Sequence, residues 1–206
     1  MINTVIFDFG GVLFPLEGVS KVRHKLAWIG VKKDDPFLQM YEDPDNSPVF
    51  WELMRGTIKE IEFWQDTFKR WKVPGWLNHI FLKRLIKKQK LDDQLLEFMV
   101  QLKGRVKLGI LSNAGDTARL LMEKTYKLNE LVDEIIISAE EGFAKPEREL
   151  YQIALERLKT QAEETVFVDD LPQNIAVAQE LGFKTVLHKN SIATIQEVKK
   201  ILERVT

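Results

Sequence analysis

Val5-Ile6-Phe7-Asp8-Phe9-Gly10-Gly11-Val12-Leu13 sets three consecutive apolar residues before an acid and a pair of glycines. A short apolar run closed by glycines reads as a strand buried on both faces, and Asp8 falls where the chain leaves it. Four more runs of the same kind follow: Val106 to Leu111, Ile135 to Ile137, Thr165 to Val168 and Thr185 to Leu187. Helical patterns separate the later runs. Asp116 to Lys124 carries Ala118, Leu120, Leu121 and Met122, and Glu147 to Leu158 carries Leu150, Ile153, Ala154 and Leu158. Pro146 suits the first turn of the second of these. Leu171 to Leu181 runs into Gly182, a helix stop. A last helix from about Ser191 is expected to bury Ile192, Ile195, Val198, Ile201 and Val205. Strands alternating with helices in this way predict an α/β fold, a Rossmann-like parallel sheet covered on both faces.

Residues 15–90 break the rhythm. They hold no strand candidate and greatly exceed a simple crossover. Val19, Val22, Leu26 and Ile29 make one helical stripe closed by Gly30, and Ser47-Pro48 reads as an N-cap with proline behind it. Thr57 and Glu60 have capping-box spacing, followed by an apolar seam of Ile61, Trp64, Phe68 and Trp71. The expectation is a core of residues 1–14 and 91–206 with a small helical subdomain, 15–90, inserted after the first strand. All five tryptophans (Trp28, Trp51, Trp64, Trp71, Trp76) fall in the insert and are expected to pack its interior.

Bulk composition narrows the functional classes. The 206 residues carry a net charge of −1, with 45% hydrophobic and 30% charged residues and no cysteine. Disulfides and thiolate chemistry are excluded, and nothing in the charge argues for nucleic acid or an anionic membrane. The basic run Lys83 to Lys90 reads as a solvated helix face. Met1 to Phe14 lacks a basic flank, and no apolar run approaches the ~20 residues that span a bilayer. These features imply a soluble, cytoplasmic protein, a monomer or small homo-oligomer.

The polar residues at strand ends suggest the chemistry. In an open parallel sheet, ligands bind beyond the carboxyl ends of the strands. Asp8 ends the first strand, Ser112-Asn113 the second and Asp169-Asp170 the fourth, while Lys145 precedes a helix. Singly, these suit a turn cap, a helix cap or a solvated lysine; jointly they define one crevice. There Asp8 could attack phosphorus and form an aspartyl phosphate. Asp8, Asp169 and Asp170 would supply oxygen ligands to Mg²⁺. Lys145 would screen charge, and Ser112 with nearby N–H groups would hold the phosphoryl oxygens.

These residues also resemble a known family. Val5 to Leu13 resembles motif I of the haloacid dehalogenase superfamily, Leu111-Ser112-Asn113 its motif II and Lys145-Pro146 its motif III, with Glu149 and Tyr151 beyond. Val166-Phe167-Val168-Asp169-Asp170 resembles motif IV, continued by Asn174 through Gly182. The resemblance covers the whole core, and the insert sits where this superfamily carries a helical cap. Within it, the Phe-Asp-x-Gly-x-Val opening and the segment Phe50 to Trp71 look most like small sugar-phosphate phosphatases and epoxide-hydrolase amino-terminal domains. The resemblance implies Asp8 as nucleophile, with Ser112, Asn113 and Lys145 as catalytic and substrate-binding partners. It implies Mg²⁺ on Asp8, the Gly10 carbonyl, and Asp170 directly, with Asp169 direct or through water. The implied substrate is a small phosphorylated metabolite, such as a sugar phosphate. Arg23, His24, Arg55, Trp51 and Trp28 are candidate contacts from the cap.

One position departs from the pattern. Many phosphatases of this family place a second Asp two residues after the nucleophile, as leaving-group acid and later base. Here Gly10 occupies it, and His24, His79 and His188 are the histidines that could substitute. Two other readings therefore stay open: a metal-independent 2-haloacid dehalogenase, or a non-catalytic binder of a phosphometabolite or protein. The Asp169-Asp170 pair weighs against the first. The second would leave buried acids uncompensated. No G-x-G-x-x-G or Walker A sequence is present.

Overall fold

The computed structural model describes residues 1–15, 31–32, 34–78 and 90–203. Five strands, β1 (Thr4–Phe7), β2 (Lys107–Ser112), β3 (Glu134–Ile137), β4 (Thr165–Asp169) and β5 (Lys184–Leu187), form one parallel sheet in the order β3-β2-β1-β4-β5. The five apolar runs thus become the five strands, each within a residue of its expected start. β1 is central, with Phe7 registered against Ile110 of β2 and Val168 of β4. All four of its residues are buried, as a strand with a layer on each face must be.

Between β1 and β2 lie α1 (Pro36–Glu42), α2 (Pro48–Met54), α3 (Glu60–Arg70) and α4 (Asp93–Leu102); α5 (Arg148–Leu158), α6 (Pro172–Glu180) and α7 (Ser191–Glu203) follow. Alternate strand side chains enter two cores. Val5, Phe7, Leu108, Ile110, Val166 and Val168 pack with Leu95, Phe98 and Met99 of α4 and Val198 of α7. On the other face, Ile6, Leu111, Ile136 and Phe167 meet Leu150, Tyr151 and Ala154 of α5 and Ile175 of α6. Burying such side chains fully stabilises by roughly 1.5–3 kcal/mol each before conformational entropy is counted.

The helices α1 to α3 build a third, separate core from Phe37, Leu38, Leu53 and Phe63, with Trp64 and Trp71 packed against it. Asp35 ties it together: its carboxylate caps α1 at the Phe37 amide (2.9 Å) and accepts from Trp71 Nε1 (3.1 Å). Ser47 caps α2 as its sequence implies, accepting from the Phe50 amide, with Pro48 at the first helical position. No strand occurs between Pro36 and Leu77 among the described residues. The stripe Val19, Val22, Leu26, Ile29 and Gly30, together with Arg23, His24, Trp28, His79, Lys83 and Val205, lies outside the described residues.

Several local expectations need correction. The Thr57 hydroxyl donates to the Glu52 carbonyl (3.0 Å), so α3 is capped at Lys59, whose amide meets Glu62 (3.2 Å). Ile61 is exposed in the first turn of α3, and Phe63, Thr67 and Phe68 are the residues this helix buries. Trp76 is also exposed and packs no interior. Pro146 precedes α5 instead of opening it, because the Glu147 amide closes a turn onto the Ala144 carbonyl (2.7 Å). Asp116 to Lys124 is one helical turn, Ala118–Leu120, running into a π-helical turn, Leu121–Thr125. Arg119 holds that turn through Glu123, Glu140 and the Ile135 carbonyl. Ile192 is exposed because α7 turns Thr194 and Val198 inward.

Candidate active site

The carboxyl ends of β1, β2 and β4 meet at one place. Asp8 leaves β1 with its amide on the Val168 carbonyl (2.8 Å), which keeps it in register with β4 one residue past the strand. Its Oδ1 accepts from the Phe9 amide (2.7 Å) and lies 2.8 Å from Lys145 Nζ. The same ammonium lies 2.7 Å from Asp169 Oδ2 at the end of β4. Lys145 is thus sandwiched between two carboxylates, with all three side chains buried.

Further contacts fix each member. Asp169 Oδ1 accepts from the Leu171 amide (2.8 Å) and Asn174 Nδ2 (3.0 Å), and the Asn174 carbonyl accepts from the Tyr151 hydroxyl (3.0 Å). Asn113 donates Nδ2 to the Lys145 carbonyl (2.8 Å) and accepts from the Lys145 amide (2.7 Å). Its amide therefore holds the lysine's backbone from the end of β2, while Ser112, buried, closes the strand beside it. Asp170 is half-buried next to Gly11. Gly11 has φ 83°, and a Cβ there would come within 2.2 Å of Asp170 Oδ2. Both the backbone and the carboxylate require glycine at that point. Gly10 is different: a Cβ there meets nothing within 4 Å.

Electrostatics at this cluster are dominated by crowding. Burial drives the Asp8 carboxyl up to about 7; Lys145 counteracts this and Asp169 adds to it. Burial likewise raises Asp170, with Asp169 contributing. Burial opposes the charge on Lys145, but Asp8 and Asp169 outweigh it and hold the ammonium above the ordinary lysine range. Asp8, Asp169 and Asp170 each offer an oxygen within 4.8 Å of the others. Three carboxylates against one ammonium leave two negative charges uncompensated. Like charges that close repel by roughly 3–4 kcal/mol per pair at an effective dielectric of 20. An all-oxygen donor set with that surplus fits a hard divalent cation such as Mg²⁺.

Of the remaining sequence candidates, Arg55 and Trp51 pack together, with the guanidinium 5.2 Å from the ring centroid. Arg55 is also paired with Glu147, Nη2 to Oε1 at 2.6 Å. His188 engages Thr194 Oγ1 through Nδ1 (2.9 Å), and burial lowers its pKa. Arg23 lies outside the described residues. Sequence reasoning named Asn174 only as a motif continuation; its place five residues after Asp169, on the first turn of α6, is the signal that it reaches back to that carboxylate.

The chain thus combines a parallel α/β sheet with an acid–ammonium–acid cluster past its carboxyl edge. The haloacid dehalogenase-like hydrolase family model matches residues 2–182, and the chain belongs to that family. A sesquiterpene phosphatase from Aspergillus oryzae is 27% identical over 202 residues, covering 97% of this chain and 96% of that protein. A D-ribitol-5-phosphate phosphatase from Bacteroides thetaiotaomicron is 25% identical over 221 residues, covering 98% and 99%. A solved family enzyme from Bacteroides thetaiotaomicron, in complex with magnesium and inorganic phosphate, superposes with a TM-score of 0.70 at 24% identity, covering 92% of this chain and 95% of that one. No described helix is long and apolar enough to cross a membrane.

Proposed function

We propose that this hydrolase is a Mg²⁺-dependent phosphatase acting on a small phosphomonoester of the sugar-phosphate kind, with Asp8 as the nucleophile. The observation that carries the reading is the Lys145 ammonium lodged between Asp8 and Asp169, with Asp170 alongside. The full-length similarity to two phosphatases supports it. In the first displacement an Asp8 oxygen bonds to phosphorus, the ester P–O bond breaks, and the alcohol leaves with a proton from solvent. In the second, water attacks the aspartyl phosphate, phosphate departs, and the Asp8 carboxylate returns. Lys145 offsets charge on nucleophile and phosphate. The Ser112 hydroxyl and adjacent amides hold the phosphoryl oxygens, and Asn113 and Asn174 act by holding Lys145 and Asp169.

The metal would be held by Asp8, the Gly10 carbonyl and Asp170. Asp169 would reach it through water, since its oxygens already receive Lys145, Leu171 and Asn174. Bound there, Mg²⁺ would supply the positive charge that lets an anionic substrate approach an anionic nucleophile. The uncompensated negative charge of the triple-carboxylate site, which calls for a cation, weighs against metal-independent dehalogenation. Residues 15–90 are assigned to a cap over the crevice and residues 1–14 and 91–206 to the core, with Arg23 on the cap as a substrate contact. A cytoplasmic location and a monomeric or small oligomeric state belong to the same reading.

The test is inorganic phosphate release from a panel of phosphorylated metabolites, with Mg²⁺ and with chelator. Release confined to the metal-containing arm is expected; halide release instead would overturn the assignment. Because Asp8 must lose its proton to serve as a ligand, apparent Mg²⁺ affinity should fall about tenfold per pH unit below 7. Calorimetric titration at pH 5.5, 6.5 and 7.5 checks this, and a pH-independent affinity would remove Asp8 from the ligand set.

Gly10→Asp should quicken hydrolysis of alkyl phosphates about 10- to 100-fold while barely changing aryl phosphates. The position is open, and a general acid typically contributes 10²–10⁴-fold. An unchanged alkyl phosphate rate in the folded variant would mean that leaving-group protonation is not limiting.

A further inference from the structure

Glu147 is the N-cap residue of α5, yet its side chain makes no capping bond to that helix. It turns back instead. Oε2 accepts from the Ala144 amide (2.7 Å), and Oε1 accepts from Arg55 Nη2 (2.6 Å) and Nε (3.1 Å). The Glu147 amide returns a bond to the Ala144 carbonyl (2.7 Å), so residues 144 and 147 clamp each other around Lys145 and Pro146. Burial pushes the Glu147 carboxyl up, but the Arg55 and Ala144 hydrogen bonds outweigh it and hold it below its ordinary range. It is a charged acceptor facing a forked donor, the arrangement that fixes direction as well as distance.

Arg55 lies across a gap of 92 positions, at the end of α2. Beside it Gly56 (φ 66°) presses on the core so closely that a Cβ would come within 2.1 Å of the Ala139 carbonyl oxygen. A second tie runs from the start of α3 to the loop after β2: the Glu60 amide donates to Asp116 Oδ1 (3.0 Å), and the Thr117 hydroxyl donates to the Glu60 carboxylate. That loop also carries Asn113, whose amide holds the Lys145 backbone. The helical segment therefore touches both loops that present Lys145. The Arg55–Glu147 pair is about a third exposed, so it adds little to global stability, yet its geometry bears directly on the lysine loop.

We propose that Arg55 and Glu147 are positioning residues: their ion pair couples the seating of α2 against the core to the placement of the Lys145 ammonium between Asp8 and Asp169. This rests on reading that cluster as the reaction centre. A shift of order 1 Å at a reacting group can cost about 10²-fold in rate. Arg55→Ala and Glu147→Gln should each lower kcat about 10- to 100-fold, with KM changed less than about threefold and melting within a few degrees. Arg55→Lys should recover part of the loss, since it keeps the charge but not the fork. The double variant should be no worse than the worse single one, as members of one coupled pair behave.

Amide hydrogen exchange supplies a readout that needs no turnover. Arg55→Ala should speed exchange at Ala144 and Lys145 about tenfold or more, while the amides of Val5 to Phe7 stay protected. Unchanged exchange at Ala144 and Lys145 would overturn the coupling, and accelerated exchange with wild-type kcat would overturn its relevance to the reaction. A loss confined to KM would make Arg55 a substrate contact instead. Should the wild type release no phosphate, the functional assignment fails, and the exchange experiment still decides whether Arg55 controls the lysine loop.

Discussion

Asp8→Asn should stop phosphate release, with turnover falling at least about 10⁴-fold, the scale on which removing a nucleophile acts. The amide matches the carboxylate in size and can still accept from the Phe9 amide, so the loss is chemical. Stability should move the other way. Wild-type Asp8 has a folded pKa of about 7, above its unfolded value of 3.8. A carboxyl raised on folding contributes stability that is complete below the unfolded pKa and is lost as pH rises through the folded one. Asparagine does not titrate, so in chelator the variant should melt at or above wild type, by a margin that widens from pH 5 to pH 8. Parallel melting curves and phosphate assays check both halves. Residual turnover near the wild-type rate would remove Asp8 from its role.

Lys145→Met should be the most damaging substitution for stability. Methionine is of similar length and removes the only cation between Asp8 and Asp169 among the described residues. Breaking a buried pair by deleting one partner costs about 3–5 kcal/mol, which for a chain of this size lowers the melting point by about 6–20 °C. The Asp8 carboxyl, already raised by burial, then loses the ammonium that counteracts the rise. By the same sign rule, the deficit should shrink as pH falls from 8 to 5, because protonation removes the repulsion. Catalysis should fall about 10³-fold or more even where the variant is folded, since nothing then offsets charge at the nucleophile. A pH-independent deficit would mean that the lost contact was packing and not charge.

The elements read from the sequence and those missed divide along physical lines. The strands were legible because a strand covered on both faces must be apolar throughout, as Val5 to Phe7 and Val166 to Val168 are. Asp8, Ser112, Asp169 and Asp170 were legible because a parallel sheet sends all its carboxyl ends to one side, so a polar residue closing an apolar run is already placed. Direction was harder to read. Nothing local says that Asn113 turns its amide onto the backbone of Lys145, or that Thr57 spends its hydroxyl on Glu52 and moves the cap of α3 to Lys59. Ile61 and Phe63 are equally apolar, and only the position of Phe37 and Leu53 decides which one faces inward. The Arg55–Glu147 pair joins two segments whose meeting is a property of the whole fold.

The central place of β1 also governs when this protein can assemble. Thr4 finds its partners at Lys107 on one side and Thr165 on the other. At a synthesis rate of about 5–20 residues per second, β1 waits on the order of 10–30 s for its second neighbour. Until β2 emerges an apolar strand made for burial on both faces has two open edges, and until β4 emerges it still has one. Contacts this distant in the chain make folding slow and the nascent chain prone to aggregate. Demand for chaperones should therefore fall on the unpaired amino-terminal strand, and should end when β4 emerges.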